Sequence, residues 1–214
     1  MNYSSMFEDS FEYTKEALWG RWMRWLLLII SCIIFPVFIG YSMEVMRGKK
    51  PAPELENWGT LFIDGLILFI AGLIYAIPII VLMMISMGSY IFALSANNPA
   101  AVMAAIGSLI AGIIIVFIVA LIIGLFAING YVRLARLKRF GEAFNFSAIL
   151  AHIGKIGWVP YIIALILLYI VLGVINMIIG LIPFVGFLIN LVLTPAYGLF
   201  AVRYITLLYD SAPA

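Results

Sequence analysis

The stretch "NWGTLFIDGLILFIAGLIYAIP" at residues 57–78 constrains this chain most, because its apolar run continues to about residue 95 with Asp64 as its one charge. As a single helix, residues 58–95 would extend more than about 50 Å at 1.5 Å per residue. The hydrocarbon core of a bilayer is only about 30 Å thick. Composition agrees with a membrane setting: 66% of the 214 residues are hydrophobic and 10% are charged, against roughly 25% charged in soluble domains. Too little charge remains to cover a water-facing surface. The chain reads as an integral membrane protein.

The expected fold is all-α, a polytopic helix bundle of about five crossings plus interfacial helices, forming one membrane domain over 1–214. Residues 1–20 carry four acids against one Lys. That is unlike the basic tip of a cleavable signal, so the first apolar run reads as a retained anchor. Within this segment Phe7, Phe11, Ala17 and Leu18 offer an apolar side to an amphipathic helix over 5–20. The first crossing is placed at 22–41 after the anchor-like "RWMRW", with Pro36 tolerated inside it. The long run is divided into a shallow helix at 58–72 and a second crossing at 73–95, with a re-entrant pair as the rival arrangement. "SANNP" at 95–99 forms a turn, and the third crossing occupies 100–128. A second interfacial helix is expected at 142–152. Crossings four and five lie at 156–180 and 184–208, joined around Pro183. "GLFA" recurs at 124–127 and 198–201; this fits a parallel repeat of 57–130 and 142–208, and equally fits a chance match of common membrane residues.

With five crossings the two polar loops share a side, and their Lys and Arg excess places them in the cytoplasm with the N-terminus outside. The expected location is the cell membrane.

Few residues carry candidate chemistry. Asp64 lies six positions past Trp58 and reads as a membrane-edge carboxylate, with ion binding or a structural ion pair as the alternatives. Arg203 either snorkels to the interface or pairs with Asp64. Asn176 and Asn190 are placed to hydrogen-bond between helices, at roughly 1 kcal/mol per bond. Arg133, Arg136, Lys138 and Arg139 form a basic strip that fits anionic lipid headgroups, and ordinary inside-positive loop charge accounts for the same residues. The lone His152 has no carboxylate or Cys at metal-ligand spacing. Cys32 is the single cysteine, which excludes an intrachain disulfide and any multi-cysteine metal site. No metal-protease, phosphate-loop, nucleophile-elbow or dinucleotide motif is present. No catalytic residue, metal or cofactor is expected, and a net charge of +2 gives no sign of nucleic-acid binding.

"GYSMEVMRG" (40–48), "PELENWGTLFIDGL" (53–66) and "YAIP" (75–78) resemble the core of a mostly archaeal multi-pass membrane family of unknown function. Gly40, Tyr41, Arg47, Trp58, Phe62, Asp64, Gly65, Tyr75 and Pro78 carry the resemblance. The layout is more distantly similar to the membrane domain fused to bacterial glycerophosphodiester phosphodiesterases, whose soluble catalytic domain has no counterpart here. The resemblance implies a membrane fold and supplies no reaction. The function expected is a non-catalytic scaffold or membrane-assembly component. The alternative is a transporter or channel for a small solute or lipid, ahead of a membrane-embedded enzyme. Its partners would be membrane lipids, anionic ones included, and either a second copy of the chain or another membrane protein.

Overall fold

The computed structural model describes residues 2–95, 98–182 and 185–213. Among the described residues the regular structure is helical throughout: α1 (Tyr3–Leu18), α2 (Trp22–Ile33), α3 (Phe35–Met46), α4 (Trp58–Ser95), α5 (Pro99–Leu137), α6 (Phe146–Ile156), α7 (Trp158–Gly180) and α8 (Val185–Asp210). A single 3-10 turn at Phe140–Phe144 precedes α6. Four of these, α4, α5, α7 and α8, are long and apolar enough to cross a membrane. Parts of the expected links fall on Ala96, Asn97 and Pro183, which lie outside the described residues.

Two expected segments are corrected. The crossing at 22–41 is not one helix: α2 and α3 have 12 residues each and are separated at Ile34, where φ is −90° and ψ 69°. Pro36, in the first turn of α3, cannot donate to the Cys32 carbonyl, and its ring crowds that oxygen. Neither half, about 18 Å long, can span a 30 Å core. Conversely, 58–95 is neither split near residue 72 nor re-entrant. It is one helix of 38 residues with Pro78 inside it.

The described chain forms two compact units, residues 1–69 with 128–214 and residues 70–127. The first contains α1 to α3, the opening turns of α4, the last turns of α5, and α6 to α8. Its core gathers Tyr13, Ala17 and Leu18 of α1, Leu28 of α2, Tyr41 and Val45 of α3, Leu55 of the following loop and Leu199 of α8. The buried face of α1 is Met6, Ser10, Tyr13, Ala17 and Leu18. It is rotated from the expected one, leaving Phe11 63% exposed. This rotation sets Phe7 against Phe200 and Tyr204, with ring centroids 5.9 and 4.7 Å away. Asn145 caps α6 through the Ala148 N–H, and Gly157, at φ 95°, turns the chain into α7.

Where α3 meets α4, two glycines allow the backbones to touch. A Cβ at Gly40 would overlap the Leu61 carbonyl oxygen, and one at Gly65 would overlap the Pro36 carbonyl oxygen. Small residues at such crossings permit the close approach that holds helices together in lipid.

The second unit comprises the rest of α4 and the first turns of α5. Its interior is narrow: Gly112 lies against the Ser86 side chain. Much of its apolar surface faces outward, including Ile77, Met84, Phe92, Met103 and Phe117. No Asp, Glu, Lys, Arg or His occurs between Asp64 and Arg133.

Candidate functional site

The charged side chains of the first unit meet in a set of ion pairs that join elements remote in sequence. Asp9 of α1 lies 2.7 Å from Arg203 Nε of α8 and 2.8 Å from Lys50 Nζ in the loop after α3. Arg203 also lies over the Tyr13 ring, 5.0 Å from its centroid. Burial pushes the Asp9 carboxyl up, but hydrogen bonds from Arg203 and Lys50 outweigh it and hold Asp9 below its ordinary value. Arg203 is buried and pairs with Asp9, so the alternative Arg203–Asp64 pair is not formed. Asp9 thus ties the N-terminal helix to both the first polar loop and α8.

Asp64 pairs with Arg47, Nη2 to Oδ2 at 2.8 Å. Arg47 and Lys49 both contact Glu44. Burial raises the Glu44 carboxyl, and these two cations more than compensate, leaving it below its usual range. Arg47 Nε also donates to the Ala135 carbonyl at 3.0 Å, while Arg136 Nε donates to the Met46 carbonyl at 3.0 Å. Arg47 thus caps the carboxyl end of α5 and Arg136 that of α3, where partial negative charge collects. Arg24, 5% exposed, donates from Nε to Glu54 at 3.0 Å, with Arg21 at 3.4 Å from the same carboxylate.

The basic strip at 133–139 divides. Arg133 pairs with Glu142, and Arg136 with Asp210 at 2.8 Å; the Arg133 hydrogen bond comes first among the causes holding Glu142 below its normal value. Lys138 and Arg139 are exposed. His152 stacks on Tyr209, centroids 3.9 Å apart, and its Nε2–H donates to the Tyr209 carbonyl at 2.9 Å. Burial lowers its pKa, with the carbonyl hydrogen bond opposing.

The two asparagines behave differently from the expected cross-helix bonds. Exposed Asn176 donates to the Leu172 carbonyl of its own helix at 2.9 Å. Asn190 has a buried Oδ1 without a hydrogen-bond partner. Sequence reasoning passed over Asn129, which is buried and bonds the Tyr161 side chain of α7. It also gave no role to Asp9 or Tyr13. Their acidic or phenolic groups beside aromatic spacing were visible signals, but their partners lie far along the chain.

Two open clefts adjoin these pairs. One of about 430 Å³ is lined by Arg21, Arg24, Leu27 and Glu54 among others; one of about 370 Å³ by Glu44, Lys49, Asn57 and Thr60 among others. Among the described residues no group of three or more His, Cys, Asp or Glu could hold a metal ion. Chemically, the site holds charge in place: each of Asp9, Glu44, Glu54, Asp64, Glu142 and Asp210 contacts at least one cation.

Long charge-poor helices together with this paired polar layer define a multi-pass helical membrane protein. Residues 25–184 match the family described as "Protein of unknown function (DUF4013)", and the chain belongs to that family. No curated protein and no solved structure matches it. The matched span includes Gly40, Arg47, Asp64 and Gly65, which lie in the helix seam and ion pairs just described.

Proposed function

We propose that this protein is a non-catalytic scaffold or membrane-assembly component of the cell membrane, its basic loops toward the cytoplasm. The observation that carries the reading is the ion-pair layer. Its carboxylates and arginines hold α1, α3, α4, α5 and α8 to one another or to adjoining loops, an arrangement suited to a fixed shape. The exposed apolar faces of the long helices supply area for lipid, for a second copy or for another membrane protein. Lys138 and Arg139 meet anionic headgroups, at about 1 kcal/mol per well-placed cation. Copurification with a fixed stoichiometric partner from mild detergent tests the scaffold; purification of the chain alone from every condition counts against it. For the headgroup contact, neutralising Lys138 and Arg139 lowers anionic-lipid retention in native mass spectrometry.

A second reading, transport or lipid handling, draws on Asn190, whose unpartnered buried Oδ1 offers a polar point inside an apolar helix. Substrate-dependent flux in liposomes that is lost in Asn190→Leu would replace the scaffold with this reading.

A further inference from the structure

The surface of α2 is not accounted for by the ion-pair layer. Its outward residues Trp22, Met23, Leu26, Ile30 and Ile33 are all exposed and recur at helical spacing. Its inward residues Arg24, Leu28 and Ser31 are buried. Trp19 continues the exposed stripe, and the rings of Trp19, Trp22 and Trp25 follow in a row, with centroids 6.1 and 5.7 Å apart. An apolar stripe with tryptophans at one end is the pattern of a helix at the boundary between headgroups and acyl chains.

Three observations identify what covers this stripe. Trp25 Nε1 donates to the Val192 carbonyl of α8 at 2.8 Å. Val192 lies in the interval from Ile156 to Val202 that carries no charged residue, about 16 Å along α8 from Arg203. The helix therefore lies against a segment long and apolar enough to cross the bilayer. Next, both ends of the α2–α3 segment return to one loop: Arg24 bonds Glu54, and Tyr41 Oη donates to the neighbouring Pro53 carbonyl at 2.9 Å. A straight helix from Arg24 to Tyr41 would hold these two residues about 26 Å apart along its axis. Finally, two backbone hydrogen bonds bridge the break at Ile34. The Ile34 N–H donates to the Ile30 carbonyl at 3.1 Å, and the Val37 N–H to the Ile34 carbonyl at 2.8 Å. Pro36 has no N–H. A break in a helix leaves backbone groups that hydrocarbon cannot serve, which favours a shallow position near the headgroups over the bilayer centre.

We infer that α2 is a one-leaflet anchor: the stripe from Trp22 to Ile33 sits among the acyl chains of the leaflet facing the polar loops, and the segment leaves through the face it entered. This interaction with lipid is independent of any protein partner.

The test uses the full chain in lipid vesicles, with Cys32→Ser as background. Lys15→Cys and Glu56→Cys, both at exposed positions flanking the segment, are labelled with a membrane-impermeant maleimide in oriented vesicles. Both react from the same side; reaction from opposite sides overturns the proposal. Nitroxide labels at Met23→Cys, Ile30→Cys and Ile33→Cys are then read for depth. All three collide more with oxygen than with an aqueous nickel chelate, at depths between the surface and the midplane. A label exposed to water, or a depth that advances past the midplane, overturns it equally. These positions are on the exposed face, so labelling leaves the core intact, and retention of the helical circular-dichroism signal confirms folding.

Discussion

The two compact units handle polarity in opposite ways. In residues 1–69 and 128–214, polar side chains reach across elements: Tyr13 to the Lys49 carbonyl, Tyr204 to the Ala164 carbonyl, Arg47 to the Ala135 carbonyl. In residues 70–127, Ser86, Ser89 and Ser108 turn back on the carbonyls of Leu82, Ile85 and Ala105 in their own helices. The first unit is specified by directional contacts. In the second, small-residue contact and an apolar surroundings do that work, since lipid tails give no hydrophobic reason for helices to associate. Substitutions of similar size should therefore have unequal effects in the two units.

The largest difference is expected at Arg203. Arg203→Leu leaves Asp9 with Lys50 alone and should cost about 3 kcal/mol, the range for breaking a buried pair. Ser89→Ala in the other unit should stay within about 0.5 kcal/mol. Unfolding in bicelles measures both, and equal losses would break the comparison.

Next comes Gly65→Val, whose side chain meets the Pro36 carbonyl; an overpacking cost of about 2 kcal/mol is expected. Gly107→Val is the control, because a Cβ there meets nothing within 4 Å. It should unfold like the unsubstituted protein in the same assay.

A smaller contrast is in pH. The folded Asp9 carboxyl lies below its ordinary value, so the unfolded chain takes up protons first as the medium is acidified. The stabilisation is complete above about pH 4, the unfolded carboxylate range, and is lost as pH falls through the lowered folded value. Hydrogen exchange should accelerate in α1 over that window. The interval from Gly65 to Val132 has no acid or histidine to titrate, and its exchange should follow only the intrinsic pH dependence of the amides.

The smallest effect belongs to Asn176→Leu. Its side chain bonds its own helix, so stability should change by no more than about 0.5 kcal/mol. A clear loss would mean that self-satisfied polar groups also matter in the first unit, which narrows the comparison to charge alone.

The membrane class was legible in the sequence because it depends on local quantities, apolar length and sparse charge. Prolines were not. Pro36 accompanies a break, whereas Pro78 and Pro195 lie inside continuous helices. The residue itself is identical, and the outcome depends on which neighbours meet the freed carbonyl. The same limit applied to the site. Asp64 and Arg203 stood out as charges in apolar runs, but their partners Arg47 and Asp9 are fixed by how helices pack. The glycines of the resemblance were visible as residues; that two of them let α3 touch α4 required the fold.

Asp9 and Arg203 are separated by 194 positions, and this separation orders events during synthesis. A ribosome delivers α1 early and α8 late, so for most of translation α1 has only α2, α3 and the loop after them to dock on. Phe7, Asp9 and one face of the Tyr13 ring wait, sheltered at the bilayer surface or by a chaperone, until Phe200, Arg203 and Tyr204 emerge. Contacts of such long range form late and leave intermediates open to misassembly. A nascent chain stalled before residue 203 would keep α1 open to protease, and release of the stall would close it.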